Sequence, residues 1–291
     1  MSEICWLGRP ECHETSHVGS KAANISRMAS TFNVPRGFAL SVEAFDRWAP
    51  DLRKGRPSVA ALPDDFKKAV SEAYLRLAQA VGTDDPAVAV RSSATDEDSA
   101  DASFAGQHDT YLNIRGADAV LDGILKCWAS LHNEEALQYR KSNALEIEDA
   151  RMAVLVQHLV PADSSGVVFS ANPVTGNRDE IMINMSFGLG ESIVAGRVTP
   201  DSYVVSRLDL SIRSEHIAEK LVMTVSEPDG TREVQVPRIM RSIPSGTPEH
   251  VIDAARLAAS LEESLGWPVD AEFAFHESRL YLLQARPITT L

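Results

Sequence analysis

Positive charge is scarce in this chain. Its 291 residues hold 28 Lys and Arg against 41 Asp and Glu, a net charge of −13, and the basic residues form no stripe. That argues against a nucleic-acid partner, which needs a basic face for the phosphate backbone. Any phosphorylated ligand would need locally placed Lys or Arg, or Mg²⁺, to offset the field. Cysteine is scarce too: Cys5, Cys12 and Cys127 are few and odd in number, so a disulfide framework is not expected. No apolar run reaches the roughly 20 residues of a membrane-spanning helix, and Met1-Ser2-Glu3-Ile4 does not read as a signal peptide. A soluble cytoplasmic protein with no membrane partner is the expectation. Repeats, low-complexity tracts and an obvious linker are also lacking. The apolar content, 44%, suffices for a sizeable core in one domain of two lobes.

Several familiar motifs are missing or fail on inspection. There is no G-x-x-x-x-G-K-[ST], which excludes a P-loop protein. Gly188, Gly190 and Gly196 follow a predicted strand but miss the spacing of a dinucleotide fingerprint. His13-Glu14-Thr15-Ser16-His17 matches H-E-x-x-H letter for letter. Zinc chemistry there would need both imidazoles on one helical face, a third ligand and a water. Pro10 upstream, the poor helix formers Thr15 and Ser16, and Val18-Gly19 downstream point to a solvated loop instead.

What is present changes texture midway. Ile25, Met28, Ala29 and Phe32 recur at helical spacing after Gly19-Ser20, a helix entry, until Val34-Pro35-Arg36-Gly37-Phe38 breaks the run. Ser41 can cap a second helix through Trp48. Pro63 opens a third, with Phe66, Val70, Tyr74, Leu77 and Val81 on one face. Residues 87–90 read as a short buried strand, residues 91–110 as a polar segment, and Val120, Ile124, Cys127, Trp128 and Leu131 as another helix. From Met152 the segments 152–160, 166–169, 180–187, 201–205, 221–225 and 233–236 are short and β-rich. The last two flank the turn Pro228-Asp229-Gly230. Thr247-Pro248 starts a final helix, and two strands follow. The fold class expected is α+β, a single domain over 1–291 with a helix-rich lobe at 1–150 and a strand-rich lobe at 151–291.

Chemistry-bearing residues stand out at four places. Lys21 lies in the first turn of the first helix, where amide N–H groups already favour an anion; an ordinary surface lysine is the alternative. Arg91 closes the buried run 87–90 and enters a loop of small hydroxylic residues reaching Gly106 and Thr110. Such a loop lets backbone N–H groups approach phosphate oxygens, or is simply solvated. At the C-terminal end, Gln284 and Arg286 share one face of a strand, and Asp270 and Glu272 alternate with apolar residues on the strand before it. Carboxylate and amide oxygens suit Mg²⁺ and a guanidinium suits phosphate, although a structural ion pair between the strands would use the same residues. Strand parity leaves two registers. A four-residue loop, His276 to Arg279, would pair Phe275 with Leu280 and put Glu272 on the opposite face from Gln284. Shared metal ligation favours the other. A three-residue loop, Glu277-Ser278-Arg279, pairs His276 with Leu280, sets Glu272 opposite Gln284 and sets Asp270 opposite Arg286.

The segments Gly19-Ser20-Lys21-Ala22-Ala23-Asn24, Val34-Pro35-Arg36-Gly37-Phe38, Val90-Arg91-Ser92-Ser93-Ala94-Thr95, Phe104-Ala105-Gly106-Gln107, Gly166-Val167-Val168-Phe169-Ser170 and Gln284-Ala285-Arg286-Pro287 resemble the N-terminal ATP-binding domain of the phosphoenolpyruvate synthase and pyruvate phosphate dikinase family. Residues 103–114, Cys127-Trp128-Ala129-Ser130-Leu131 and Phe187-Gly188-Leu189-Gly190-Glu191 are especially similar to rifampin phosphotransferase. The resemblance implies a two-lobed ATP-grasp fold with ATP and Mg²⁺ as cofactors. It implies phosphate contacts from Lys21, Arg91 and Arg286, a nucleotide site lined by Gly106 and Thr110, Gln157 on the adenine side, and metal ligation by Glu272 and Gln284. Ser20 departs from the family, which usually has a second glycine there. The family's phosphohistidine and acceptor domains have no counterpart in these residues. The expectation is therefore the ATP-binding subunit of a split enzyme, similar to phenylphosphate synthase or 4-methylbenzyl phosphate synthase. A separate subunit would supply the histidine for an alcohol or phenol acceptor, leaving AMP and phosphate. A stand-alone ATP-grasp ligase, a non-catalytic nucleotide-binding regulator and a domain excised from a longer enzyme stay open as alternatives.

Overall fold

The computed structural model describes residues 3–49, 58–95, 98–99, 102–103, 110–133, 136–138, 150–228, 230–289 and 291. The chain divides into two compact units, Met1–Thr31 with Pro35–Leu159, and Phe32–Val34 with Val160–Leu291.

The first unit is built on a five-stranded antiparallel sheet. In chain order its elements are β1 (Ile4–Trp6), α1 (Thr15–Met28), β2 (Gly37–Leu40), α2 (Val42–Trp48), α3 (Asp64–Val81), β3 (Val88–Ala94), the short pair β4 (Asp98–Ser99) and β5 (Ala102–Ser103), β6 (Thr110–Ile114), α4 (Ala117–Ser130) and β7 (Met152–His158). The strand order is β1-β2-β7-β3-β6. One face carries Phe38, Leu40, Val88, Val90, Met152, Val154 and Val156. It packs on Phe66, Val70 and Leu77 of α3 and on Val120, Ile124 and Trp128 of α4, all buried. The Trp128 ring stacks on Phe66 at 5.7 Å, and its indole N–H donates to the Met152 carbonyl at 3.1 Å, as a buried indole should. Local signals set the helix ends. Ser41 Oγ accepts from the Ala44 N–H to start α2, and Gly82, left-handed at φ 84° and ψ 29°, ends α3.

Three expectations need correction here. Residues 152–160 were expected to open the second lobe. Instead β7 is the middle strand of the first unit's sheet, because its apolar face completes the core between β2 and β3, and the division falls at Leu159 and Val160. The strand expected to stop before Arg91 runs on to Ala94, so Arg91 is a mid-strand residue. The H-E-x-x-H segment is not a solvated loop. Residues 15–18 form a helical turn, and His17 is buried with Nδ1 2.7 Å from a Glu43 carboxylate oxygen and Nε2 3.2 Å from Cys5 Sγ. Burial pushes the Cys5 thiol up to about 12, so it stays protonated and inert.

The second unit contains β8 (Ser164–Phe169), β9 (Glu180–Phe187), α5 (Glu191–Val194), β10 (Asp201–Ser206), β11 (Ile212–His216), β12 (Val222–Glu227), β13 (Gly230–Gln235), α6 (Pro248–Leu265), β14 (Val269–His276) and β15 (Arg279–Pro287). Six strands form an antiparallel sheet in the order β11-β10-β9-β8-β14-β15, and β12 and β13 pair separately. Thr247 caps α6 through its hydroxyl, with Pro248 in the first turn. Buried Val251, Ala254, Ala258 and Leu261 of α6 cover one face of the large sheet, where Ala271, Phe273 and Phe275 lie. His250 stacks on Phe275 at 4.1 Å. Residues of opposite parity, including Glu272, therefore occupy the other face. A fully buried ion pair, Lys220 with Asp201, ties the segment after β11 to the start of β10. Asp201 also accepts from the Ala218 N–H and from the Ser245 N–H and hydroxyl. The first unit thus carries most of the helix and the second most of the strand, as expected for α+β. Among the described residues no helix is long and apolar enough to cross a membrane.

Candidate functional site

Lys21 owes its place to a break in α1. Gly19 adopts φ 73° and ψ 167°, a region essentially reserved for glycine, and a methyl group built on it would lie 2.0 Å from the Ser93 carbonyl oxygen. The helix restarts beyond it with Lys21 in its first turn. The break opens the backbone bond that Ala22 N–H would make to Val18 O in a continuous helix. Ser93 fills that gap: its hydroxyl accepts from Ala22 N–H at 3.1 Å and donates to Val18 O at 2.8 Å. Ser20, where the family usually has glycine, donates its hydroxyl to Ala94 O at 3.4 Å. Two motifs some 70 residues apart are thereby interlocked.

Arg91 lies two residues before Ser93 on β3, so both side chains leave the same face of the sheet. It pairs with Thr110 on β6 and Leu155 on β7, while Gln157 pairs with Ala89. Arg91, Thr110 and Gln157 therefore share the face against which α1 packs. Gln157 is buried, its amide donating to Pro35 O at 3.4 Å. The structure brings Lys21, Arg91, Thr110 and Gln157 to one side of one sheet; Gly106 lies outside the described residues.

In the second unit the β14–β15 hairpin decides which acids meet which partners. The three-residue loop is corrected. The connection is a two-residue turn, Glu277 and Ser278, both left-handed at φ 48° and 62°, which fits the twist of a hairpin. It pairs His276 with Arg279, Phe275 with Leu280 and Phe273 with Leu282. Continued unbroken, that register would set Glu272 opposite Leu283 and turn Gln284 toward α6. A bulge between Glu272 and Phe273 absorbs Leu283 instead, so Glu272 pairs with Gln284 and Asp270 with Arg286, the expected partners by another route. The bulge lets Phe273, Phe275 and Leu282 face the core while Glu272 and Gln284 face away from it.

Arg286 Nε and Nη2 donate to one Asp270 oxygen at 2.8 and 2.7 Å, so the strand-to-strand ion pair left open by the sequence exists. Burial raises the Asp270 carboxyl above its usual range, the Arg286 charge opposes that, and Glu272 adds to it. Glu272 continues across the sheet to Val167, Asn184 and Ser202, where Ser202 donates to Asn184 Oδ1 at 2.8 Å. Among the described residues no three of His, Cys, Asp and Glu group as a metal cluster. One carboxylate paired across the strands with one amide side chain nevertheless fits Mg²⁺, which takes one or two protein ligands and completes its shell with phosphates and water. The residues that sequence reasoning passed over are Ser93 and Asn184. The signal for Ser93 was its i, i+2 spacing from Arg91; nothing local marks Asn184.

Residues 58–291 match the family model of the pyruvate phosphate dikinase AMP/ATP-binding domain, and the chain belongs to that family. It is 44% identical to a probable phosphoenolpyruvate synthase of Pyrococcus horikoshii, over 79% of this chain and 29% of that protein. It is 35% identical to an uncharacterized phosphotransferase, YvkC, of Bacillus subtilis, over 97% of this chain and 34% of that protein. To the prodigiosin synthesizing transferase PigC of Serratia marcescens it is 36% identical, over 95% of this chain and 32% of that protein. The chain thus spans about a third of the length of these relatives.

Proposed function

We propose that this chain binds Mg-ATP and hands a phosphoryl group to a histidine on a separate partner subunit, which passes it to an alcohol or phenol. In that reaction ATP and water become AMP and phosphate as the histidine takes up the remaining phosphoryl group. The observation that carries the reading is the bulged hairpin, which holds Glu272 against Gln284 and Asp270 against Arg286 on the face away from the core. Membership of an ATP-binding family supports a nucleotide as the ligand of that hairpin.

In this reading Lys21, Arg91 and Arg286 hold the phosphates, Thr110 and Gly106 line the nucleotide, and Gln157 meets the adenine side. Glu272 and Gln284 hold Mg²⁺, which supplies charge neutralisation on the phosphates. The protein's own part is positioning and electrostatics, the main levers in phosphoryl transfer. Arg286 is already oriented by Asp270, so no side-chain ordering is needed when phosphate arrives. A cytoplasmic location follows from the need for ATP.

The test uses the chain with Mg-ATP, by calorimetry and by transfer from radiolabelled ATP. Tight ATP binding, slow release of AMP and no labelled protein are expected, with label appearing on the histidine-bearing partner when it is added. Lys21→Ala should weaken ATP by roughly tenfold to a hundredfold, the worth of one charge-assisted contact. Rapid phosphorylation of a phenol by this chain alone would remove the partner from the scheme. An absence of ATP binding would remove the whole reading.

A further inference from the structure

We propose that Ser93 is a positioning residue for Lys21, holding the turn of α1 that follows the break at Gly19 against the strand that carries Arg91. This rests on the reading of Lys21 as a phosphate contact.

The argument begins with Gly19. Its backbone conformation and its contact with the Ser93 carbonyl exclude any side chain, so the helix cannot run through it and Ala22 N–H loses its partner within the helix. A buried N–H without a partner is costly. Ser93, fully buried, restores the bond through its hydroxyl, taking Ala22 N–H as donor and Val18 O as acceptor. A hydroxyl is the smallest side-chain group that can accept and donate at once, and alanine here would leave both backbone groups unpaired. The bonded N–H belongs to the residue after Lys21, so the clamp acts on the helical turn that aims the lysine. Ser93 and Arg91 lie about 7 Å apart along one face of β3. The hydroxyl thus ties the turn that carries Lys21 to the strand that carries Arg91, and a polyphosphate needs both cations at once.

The experiment measures Mg-ATP affinity by isothermal titration calorimetry for the wild type, Ser93→Ala, Lys21→Ala and the double variant, with thermal melts alongside. Ser93→Ala should weaken ATP about threefold to tenfold, less than Lys21→Ala, because it displaces the lysine without removing it. In the Lys21→Ala background the Ser93 effect should vanish, since the two act through one contact. Should Ser93→Ala unfold, Ser93→Cys gives the same readout: its thiol nearly preserves the size but bonds weakly, and a folded Ser93→Cys protein should lose ATP affinity in the same coupled way. A lower melting temperature with wild-type ATP affinity, or a full Ser93 effect in the absence of Lys21, would make Ser93 merely structural and overturn the inference. If Lys21→Ala itself leaves ATP affinity unchanged, the phosphate assignment of Lys21 fails and the inference falls with it. That outcome differs from Ser93 failing alone.

Discussion

Replacing Gly19 by alanine perturbs the interlock between α1 and β3 at its tightest point. Two costs add. An L residue at φ 73° and ψ 167° is strained by about 1–3 kcal/mol. The new methyl would lie 2.0 Å from Ser93 O, so helix or strand must shift by more than 1 Å, an overpacking cost of about 1–3 kcal/mol. One term opposes them: alanine favours helix over glycine by about 1 kcal/mol. That gain is available only if the helix closes through residue 19 and gives up both Ser93 bonds. The net is a loss of about 2–5 kcal/mol, a drop of roughly 1–2 M in urea midpoint for an ordinary denaturant slope. Tryptophan fluorescence is a suitable probe, because Trp6, Trp48 and Trp128 of the four tryptophans belong to the first unit. Gly82→Ala is the control. That glycine has φ 84° but nothing within 4 Å of an added methyl, so it bears only the conformational cost, about 1–2 kcal/mol. If Gly19→Ala proves no more destabilising than Gly82→Ala, the close approach to Ser93 is not rigid and the account of the break is wrong.

Two further outcomes follow from the second unit. Glu277→Asn with Ser278→Gly suits a two-residue turn with both residues left-handed; it should raise stability by about 1–2 kcal/mol and leave ATP affinity unchanged. No gain in urea midpoint would argue for a different loop. Lys220→Met strands the Asp201 carboxylate in a fully buried position and should cost about 3–5 kcal/mol, with part recovered on adding Asp201→Asn; a loss under 1 kcal/mol would mean that water reaches the pair.

Local chemistry was enough for some of this protein. The starts of α2, α3 and α6 were legible because Ser41, Pro63 and Thr247-Pro248 act on the backbone within a turn of themselves. The types of residue at the candidate site were legible for the same reason: lysine after a glycine, arginine on a buried strand, acids and amide at alternating positions. The pairing of Glu272 with Gln284 followed from the fitness of their side-chain oxygens to share a metal ion, not from the two-residue period of a strand. The turn that delivers it did not, because Glu277 and Ser278 carry no glycine or asparagine to announce a positive φ, and the bulge at Leu283 compensates where no local signal exists. Strands β1, β2 and β11 escaped notice because they are short, with no clear alternation of apolar and polar residues. The sheet that β7 joins, the burial of His17 beside Cys5 and Glu43, and the hydroxyl of Ser93 inside a broken helix depend on partners distant in sequence. Spacing along a chain reveals which way a side chain points; only packing decides what it meets.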